Sequence, residues 1–164
     1  MTKAERKEAI KADLYRFKGR KGTKALIKTL RKERSFKITF WLRQAQYYTF
    51  NKNKILGPIC RYIYRKVCQK YKVDLPVKTK VGKGLIIYHC YGLVVHQKAV
   101  IGDNCMLAHQ VTLAYEKGAA PVVGDRVRIA PGAKVVGGVS MGDNVVVGAN
   151  AVVVKDVPAN SVTV

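Results

Sequence analysis

Acidic residues are scarce in this sequence, and the scarcity is uneven. The 164 residues include 31 Lys and Arg but only 10 Asp and Glu, which gives a formal net charge of +21. Residues 1–72 carry 22 Lys and Arg and 4 Asp and Glu, a net charge of +18, whereas residues 73–164 carry 9 and 6, a net charge of +3. The basic character therefore belongs to the first 72 residues. A field of that size attracts polyanions such as nucleic acid, anionic lipid or acidic polysaccharide.

Long apolar runs and clustered cysteines are missing as well. No stretch of about 18 apolar residues is present, which argues against a membrane-spanning helix. The start of the chain, Met1–Gly22, is charged throughout and does not resemble a signal peptide. Cys60, Cys68, Cys90 and Cys105 show neither metal-type CxxC spacing nor a dense disulfide pattern. We therefore expect reduced thiols in a cytoplasmic protein.

A six-residue repeat fills the second half of the chain. Each unit opens with an aliphatic residue that is usually followed by a small one, as in Ile101-Gly102 and Met141-Gly142. The opening positions are 95, 101, 107 and 113, then 123, 129, 135, 141, 147 and 153. The period is six throughout, with one interruption between positions 113 and 123.

This period predicts short strands joined by tight corners. Three strands make one triangular coil of 18 residues, and successive coils stack in parallel about 4.8 Å apart. The aliphatic residues then point into the shaft, while Gly, Asp and Asn occupy the corners. A Val/Gly-rich sandwich is the alternative, but it requires alternation of period two with hairpin signals, and neither is present.

Helical patterns precede the repeat. Thr2 and Glu5 have the spacing of a capping box, and Thr23 and Ser35 stand where N-caps of two further helices are expected. The predicted helices run from Thr2 to about Gly19, from Thr23 to about Arg34, from Ser35 to Phe50 and from about Gly57 to about Tyr71. The chain thus divides into a basic α-helical region, residues 1–72, and a β-helical domain, residues 73–164.

The predicted helices are rich in both aromatic and cationic side chains, and three interpretations of them stay open. The helices could form a cap that packs on itself and on a neighbouring subunit. They could instead lie on anionic lipid, where a lipid-linked glycan would be held. Binding to nucleic acid is the third interpretation and the weakest, because no known nucleic-acid-binding motif is present.

Only three histidines are available as a general base. His89 and His109 both stand at the third position of a six-residue unit. Their separation of 20 is one coil plus a two-residue shift, which we place between residues 93 and 95, so they should lie on the same side of neighbouring coils. His96 falls at a corner. An exposed histidine on a solenoid is more often an ordinary polar residue, but two on one wall favour a functional role.

Several stretches of the repeat carry a resemblance to a known family. They are residues 73–75, 81–95, 99–104, 109–113 and 153–158. In these stretches the chain resembles the hexapeptide-repeat (left-handed β-helix) acyltransferases, specifically the serine acetyltransferase branch and its capsule and exopolysaccharide O-acetyltransferase relatives. The resemblance implies a mainly β fold, a left-handed parallel β-helix preceded by an N-terminal α-helical region.

The resemblance also implies catalytic residues. His89 matches the family's catalytic histidine, which takes a proton from the acceptor hydroxyl as that hydroxyl attacks an acetyl thioester directly. Asp74 precedes it by 15 residues, the family's spacing for the acid that orients this histidine. A local turn residue is the alternative for Asp74. His109 is similar to a histidine of the exopolysaccharide branch that lines the acceptor side.

Acetyl-CoA is the implied co-substrate, and no metal is expected. By resemblance it would lie in the groove between two shafts of a homotrimer, against small residues that let the pantetheine arm approach the wall. The candidate contacts are Ala114, Ala130, Pro131, Gly132, Gly148 and Ala149. Lys134 and Lys155 are candidates for the nucleotide phosphates, with a solvated surface charge as the alternative.

Departures from the serine acetyltransferase pattern bear on the acceptor. Tyr88 replaces an aspartate, the loop at 114–121 is shorter, and a second histidine of that branch is absent. These groups would bind an amino acid. We therefore expect the acceptor to be a sugar hydroxyl of a capsular or extracellular polysaccharide or its lipid-linked precursor, contacted by Tyr88, Tyr91 and His109.

Three alternatives to this expectation remain. A serine O-acetyltransferase is the nearest enzyme. A γ-type carbonic anhydrase shares the fold and binds zinc through three histidines, but the spacing of His89, His96 and His109 does not match. The non-enzymatic alternative is a β-helical scaffold that binds anionic lipid or another polyanion. A cytoplasmic enzyme at the inner face of the membrane would fit the basic helices, and nucleic acid is not expected as a partner.

Overall fold

The computed structural model describes residues 1–17, 19 and 21–164. Within this part of the chain, four helices precede a parallel β-solenoid of about four turns. The helices are α1 (Lys3–Arg16), α2 (Thr23–Lys32), α3 (Arg34–Phe50) and α4 (Leu56–Tyr71). The predicted mainly β fold behind a helical region is confirmed. None of the helices among the described residues is long and apolar enough to cross a bilayer.

The helix starts agree with the sequence in one case and correct it in two. At α1 the capping box is present: Thr2 Oγ1 accepts a hydrogen bond from the Glu5 amide at 3.1 Å, and Glu5 Oε2 accepts one from the Thr2 amide at 2.8 Å. The other two predicted caps are wrong. The chain enters α2 from Gly22, whose φ is 87°, so Thr23 is already helical. Likewise, Ser35 lies inside α3, where it is buried.

Short strands build the solenoid, each two or three residues long in the described part of the chain. They are β1 (Lys80–Val81), β2 (Ile86–Ile87), β3 (Val94–Val95), β4 (Val100–Ile101), β5 (Met106–Leu107), β6 (Thr112–Ala114), β7 (Val122–Val123), β8 (Arg128–Ile129), β9 (Lys134–Val136), β10 (Ser140–Met141), β11 (Val146–Val147), β12 (Val152–Val153) and β13 (Val162–Thr163).

The strands form three parallel walls, because each strand pairs with the strand one coil further along. Wall 1 contains β1, β4, β7 and β10; wall 2 contains β2, β5, β8, β11 and β13; wall 3 contains β3, β6, β9 and β12. The chain visits the three walls in that order in every coil, so the shaft is triangular. Parallel walls of this kind leave no backbone group unpaired between coils.

The core of the shaft is built from the opening residues of the six-residue units. From Val95 to Val153, all of the predicted opening positions are at most 5% exposed. The fifth positions are equally closed: Ala99, Cys105 and Ala133 are at most 1% exposed. The periodicity therefore predicted the inward side chains correctly.

The coils stack so closely that some corners have no room for a side chain. A Cβ placed on Gly102 would lie 2.5 Å from the carbonyl oxygen of Gly124 in the next coil. Aspartates at this edge bridge the coils: Asp125 Oδ1 accepts a hydrogen bond from the Asp103 amide at 2.7 Å, and Asp143 Oδ1 accepts one from the Asp125 amide at 2.8 Å. The Gly-Asp pairs of the repeat thus bond one coil to the next.

Two insertions interrupt the regular coil. One lies between β6 and β7, where the backbones of Glu116 and Ala119 exchange hydrogen bonds around Lys117 and Gly118, which have φ values of 49° and 88°. Two successive residues with positive φ form a tight hairpin turn. The other insertion lies between β2 and β3. Residues 87 and 107 are paired, and so are 94 and 112, so the first coil uses two residues more here than the second.

A buried ion pair attaches the helices to the first coil. Asp13 of α1 and Arg43 of α3 are each 1% exposed, and Arg43 Nε lies 3.0 Å from Asp13 Oδ2. Arg43 also donates to the carbonyl oxygens of Val81 and Gly82, and Asp13 Oδ1 accepts from the Leu85 amide at 2.9 Å. The helices therefore lie in a fixed position over wall 2 at the start of the shaft.

Candidate active site

His89 lies in the corner between wall 2 and wall 3 of the first coil. The two-residue insertion lies in this same corner, because the Gln110 amide of the next coil donates to the carbonyl oxygen of Tyr91. From Gly92 onward the two coils are in register again. The expected position of the shift, between residues 93 and 95, is therefore wrong. Leu93 is already fully buried and in step with the second coil.

The backbone of His89 is left-handed. Its φ is 50°, and its side chain is exposed. Left-handed backbone is uncommon for a residue with a Cβ, although histidine adopts it more often than most. The surrounding corner must impose this conformation, because it is disfavoured by itself. The insertion thus places an imidazole outside the shaft, accessible to a ligand.

His109 occupies the equivalent place one coil further along. The pairing of Ile87 with Leu107 puts both histidines two residues past paired strand ends. Their ring centroids are 6.0 Å apart and the rings are nearly perpendicular, at 83°. His109 is half-buried, and its Nδ1 is buried without a hydrogen-bond partner. The predicted placement of the two histidines on neighbouring coils is observed.

A cavity of about 400 Å³ opens beside His89. Its floor is β2 and the corner that follows, and its roof is the end of α1, the end of α2 and the start of α3. Three cations line it, Arg16, Lys32 and Arg34, together with one acid, Glu33. The surplus of positive charge next to an exposed imidazole suits a small molecule that carries a negative group.

Both predicted substrate-binding tyrosines line this cavity. The hydroxyl of Tyr91 accepts a hydrogen bond from Arg34 Nη1 at 2.8 Å, and its ring meets the edge of Tyr71 at a centroid distance of 6.2 Å. Tyr88 is 49% exposed, and its ring centroid lies 6.5 Å from that of His89. Tyr91 is therefore held in place by the helices, whereas Tyr88 stands free beside the imidazole.

Cys90 follows His89 but does not face the cavity as a nucleophile. Its side chain is 1% exposed. Burial raises the pKa of the Cys90 thiol, and a hydrogen bond with Ser35 opposes the rise. A thiol that stays protonated at neutral pH is a poor nucleophile. The reactive group in this corner is therefore the imidazole.

Asp74 forms an additional rung at the end of wall 3. It pairs with Val94, and its amide and carbonyl bond the backbones of Leu93 and Val95. Its side chain is exposed and lines a different cavity, between α4 and the first coil. Among the described residues no hydrogen bond joins Asp74 to His89, so the orienting role of this carboxylate stays a prediction.

The predicted coenzyme contacts follow the edge that carries the histidines. Ala130, Pro131 and Gly132 form the corner between walls 2 and 3 in the third coil, and Gly148 and Ala149 form it in the fourth. Gly132 approaches the next coil too closely for a side chain, since a Cβ there would meet Asn150. The edge runs about 14 Å from the first coil to the fourth, at about 4.8 Å per coil.

The remaining coenzyme candidates lie away from this edge. Lys134 stands on wall 3, where its Nζ donates to the carbonyl oxygens of Gln110 at 2.9 Å and Gly132 at 2.6 Å. Its charge therefore already has two acceptors. Ala114 ends β6, and Lys155 follows β12 and is exposed, so both belong to the far side of wall 3.

His96 is separate from the other two histidines. It lies after β3 and stacks on Tyr115 at a centroid distance of 4.8 Å, and its Nδ1 accepts from the Lys98 amide at 3.2 Å. Within residues 1–17, 19 and 21–164, no group of three or more His, Cys, Asp or Glu side chains is arranged to hold a metal ion. The geometry thus gives the zinc alternative no support.

The sequence analysis missed the cations of the cavity. Arg16, Lys32 and Arg34 lie more than 50 residues before the corner that they cover. They stand at helix ends, which is a common place for basic residues and carries little information. Only the packing of the helices over β2 brings these cations near His89.

Comparison with known proteins points to one group of enzymes. A family profile described as "Bacterial transferase hexapeptide (six repeats)" matches residues 120–155. The serine acetyltransferase of Helicobacter pylori is 38% identical over 96 residues, which are 56% of this chain and 56% of that protein. The serine acetyltransferase of Staphylococcus aureus is 41% identical over 96 residues, 56% of this chain and 45% of that protein. The chain thus spans about half the length of the curated relatives it matches.

The fold agrees with the sequence matches. The crystal structure of Neisseria gonorrhoeae serine acetyltransferase in complex with serine superposes with a TM-score of 0.82 and 26% identity, over 97% of this chain and 66% of that one. This similarity includes the helices as well as the solenoid, whereas the sequence matches cover only part of the chain. The comparisons support the hexapeptide-repeat acyltransferase family.

These comparisons contradict the expected polysaccharide acceptor. The relatives and solved structures named above are serine acetyltransferases, not capsule or exopolysaccharide O-acetyltransferases. The expectation was based on side chains that are missing at Tyr88 and in the loop at 114–121. That loop leaves the second coil at the corner between walls 3 and 1, a different corner from that of His89. Its shortness therefore says little about the cavity next to the imidazole.

Proposed function

We propose that this chain forms an acetyl-CoA-dependent serine O-acetyltransferase site, with His89 as the general base. The observation that supports it best is the cavity next to His89, which combines an exposed imidazole with three cations. Free serine carries a carboxylate, which such a cavity attracts, and a hydroxyl, which the imidazole can deprotonate. The similarity to serine acetyltransferases from several organisms supports the same acceptor.

Arg34 is the cation best placed to bind the serine carboxylate. Its guanidinium is held at the cavity by its hydrogen bond to the Tyr91 hydroxyl, and the group keeps further N–H donors. A planar guanidinium binds a carboxylate through two parallel hydrogen bonds. Arg16 and Lys32 add positive charge from the roof of the cavity. In this proposal the helical region, residues 1–72, supplies part of the acceptor site to the catalytic domain, residues 73–164.

The chemistry is a direct transfer. His89 takes the proton of the serine hydroxyl while the oxygen attacks the carbonyl carbon of the acetyl thioester. The tetrahedral intermediate collapses, the C–S bond breaks, and the imidazolium returns the proton to the departing thiolate. The products are O-acetylserine and coenzyme A. General base catalysis by a positioned side chain contributes about 10²–10⁴-fold to the rate.

Asp74 and His109 have supporting roles in the proposal. Asp74 forms the rung next to the corner that holds His89, and its carboxylate would stabilise the imidazolium through charge. His109 contacts the His89 ring and has an unpaired Nδ1, so it can hydrogen-bond a bound acceptor. Both roles place charge or polarity next to the group that gains a proton.

Acetyl-CoA would lie along the edge between walls 2 and 3. The small residues Ala130, Gly132 and Gly148 leave backbone amides and carbonyls accessible to the pantetheine arm, and Pro131 offers no N–H there. Ala114, Ala149 and Lys155 border the same wall or its edges. We assign no phosphate to Lys134, because its ammonium is already bonded to two carbonyl oxygens.

We further propose that three copies assemble into a trimer. Valines stand exposed on the walls of the shaft, which an isolated chain would leave in water: Val94, Val122, Val146, Val152 and Val162 are between 36% and 72% exposed. Side-by-side packing of shafts would cover them. Light scattering should then give a mass of three times 18.2 kDa.

A thiol-release assay tests the proposed function. Purified protein is supplied with acetyl-CoA and L-serine, and free coenzyme A is measured over time. We expect serine-dependent release that falls at least about 100-fold in His89→Ala, with O-acetylserine as the product by mass spectrometry. Capsular oligosaccharides serve as the comparison acceptors. Absence of serine-dependent release from a folded protein would refute the proposal.

A further inference from the structure

Large apolar side chains stand exposed around the turn between α3 and α4. Ile55 is 74% exposed and Tyr62 is 55% exposed, and Phe50, Ile59 and Leu56 lie between 40% and 48%. Ile55, Ile59 and Tyr62 follow one face of α4, since they are three or four residues apart. We call these five residues the apolar tip. The buried stripe of α4, Gly57, Cys60, Tyr64, Cys68 and Tyr71, faces the rest of the protein.

The apolar tip is held by specific bonds. The side chain of Asn53 accepts hydrogen bonds from the amides of Ile55 at 3.1 Å and Leu56 at 2.7 Å, which begin α4. Gly57 lies against the backbone of Tyr48, where a Cβ would come within 3.3 Å of the carbonyl oxygen. The apolar side chains are therefore presented on a well-defined turn.

The charge around the tip is of one sign. Residues 34–73 contain ten Lys and Arg and no Asp or Glu. One of the ten, Arg43, is buried and paired with Asp13. Lys52 and Lys54 lie within the turn itself and are exposed, and Arg61 and Lys66 flank it on α4. The apolar tip is thus surrounded by cations that no acid in the same segment neutralises.

We propose that the apolar tip and its surrounding cations form a docking surface for an anionic lipid bilayer. A surface with an apolar centre and basic borders binds at the headgroup boundary: the apolar side chains enter the interface and the cations meet the lipid phosphates. The proposal is independent of the acetyltransferase activity, because it concerns a surface formed by α3 and α4 rather than the His89 cavity.

Two other occupants fit the observations less well. A second copy of the same face would bring two strongly cationic surfaces together, which costs free energy. Nucleic acid would satisfy the cations, but aliphatic side chains such as Ile55, Leu56 and Ile59 neither stack on bases nor hydrogen-bond base edges. Only a bilayer offers negative charge and an apolar layer at the same time.

Co-sedimentation with vesicles tests the proposal on the full chain. The wild-type protein is mixed with phosphatidylcholine vesicles or with vesicles in which half of the lipid is phosphatidylglycerol. We expect binding to the anionic vesicles only, weakened by salt. Replacing both Lys52 and Lys54 by Glu should weaken it at least about 25-fold, since each cation near the surface contributes roughly five-fold.

The apolar part needs its own variant and a matched control. The double variant Ile55→Ser and Ile59→Ser removes two exposed aliphatic side chains and should weaken vesicle binding at least about tenfold. Val154→Ser removes one that is 61% exposed on the solenoid, and it should bind as the wild type does. In a separate chain, Phe50→Trp should show a blue-shifted emission and quenching by brominated lipid, which reports insertion directly.

The outcomes separate the proposal from its alternatives. Equal binding to neutral vesicles, or no binding to anionic vesicles by folded protein, overturns it. Loss of binding in the Lys52 and Lys54 variant without loss in the Ile55 and Ile59 variant would mean a site for polyanions in general, and duplex DNA would then compete with the vesicles. Concentration-dependent association that the isoleucine variant abolishes in the absence of lipid would mean a second copy instead.

Discussion

Arg43 and Asp13 form a buried pair that connects α3 with α1, and each is 1% exposed. Burial raises the pKa of the Asp13 carboxyl, and the Arg43 charge opposes that rise. The remaining donors of Arg43 are used by the backbone of the first coil, at Val81 and Gly82. The pair therefore determines where the helices lie over the solenoid, and hence the roof of the His89 cavity.

Removing one partner of this pair should cost much more than removing both. We expect Asp13→Ala to lower the free energy of unfolding by about 3–5 kcal/mol, because it leaves the Arg43 charge buried without a counter-charge. The double variant Asp13→Leu with Arg43→Met should be less destabilised than Asp13→Ala alone. Urea denaturation followed by circular dichroism measures all three proteins. A double variant that is at least as unstable as the single one would contradict this account.

Gly102→Ala should loosen the stacking of the coils. Its Cβ would lie 2.5 Å from the backbone of the next coil, so the coils must separate locally, and we expect a loss of about 3 kcal/mol. Gly118→Ala is the matched control, because nothing lies within 4 Å of its Cβ and only the positive φ is disfavoured. That control should lose about 1 kcal/mol. Similar losses in thermal or urea denaturation would show that close contact between coils is not the cause.

Arg34→Ala should weaken the use of serine without affecting the donor. If Arg34 binds the carboxylate, the KM for serine should rise at least about tenfold, whereas the KM for acetyl-CoA should be unchanged, since a charged hydrogen bond contributes about 1.5–3 kcal/mol. Arg34→Lys should restore part of the loss. Serinamide, which lacks the carboxylate, should be a poor acceptor for the wild type and should distinguish the wild type from Arg34→Ala much less than serine does.

Asp74→Asn tests the proposed positioning role. If the Asp74 charge stabilises the imidazolium, the variant should lose about tenfold in kcat, and the acid limb of its pH–rate profile should move to lower pH. Asp74→Glu should keep part of the activity. A profile that keeps its wild-type shape while the protein merely becomes less stable would mean that Asp74 acts only through its backbone pairing with Val94.

Stability should fall in alkaline solution because of buried thiols. Burial raises the pKa of Cys68 from 9.0 to about 11. The folded state therefore holds this proton to a higher pH than the unfolded chain does, so the stability that Cys68 contributes is present below about pH 9 and is lost between about pH 9 and 11. Cys68→Ala has no such proton, and its free energy of unfolding should decline less steeply over this window. Parallel curves in urea denaturation would contradict the prediction.

Local patterns in the sequence were sufficient for the shaft. The inward positions from Val95 to Val153 follow a period of six, and each repeat specifies its own strand and corner. The capping box of Thr2 and Glu5 is local in the same way. Thr23 and Ser35 were wrongly predicted to be caps, because Gly22 and Glu33 precede them and the helices begin one residue earlier than the side-chain pattern indicates.

The acceptor site depends on contacts that no local pattern reveals. Arg34 donates to the Tyr91 hydroxyl across 57 positions of the chain. The sequence showed a surplus of cations in residues 1–72 but not which of them would face His89. The missing groups of the serine branch were read as evidence for a sugar, although the docked helices supply other charges at the cavity.

The left-handed backbone of His89 sets stability and chemistry against each other. At the same edge of the later coils the residues with positive φ are Gln110, Gly132 and Asn150, so Gly and Asn serve where no reaction is needed. Replacing His89 by Gly or Asn should relieve strain in the corner while removing the base. Selection for thermal resistance alone would therefore favour the loss of the imidazole, and a stabilised variant of this protein should be checked for activity at that position first.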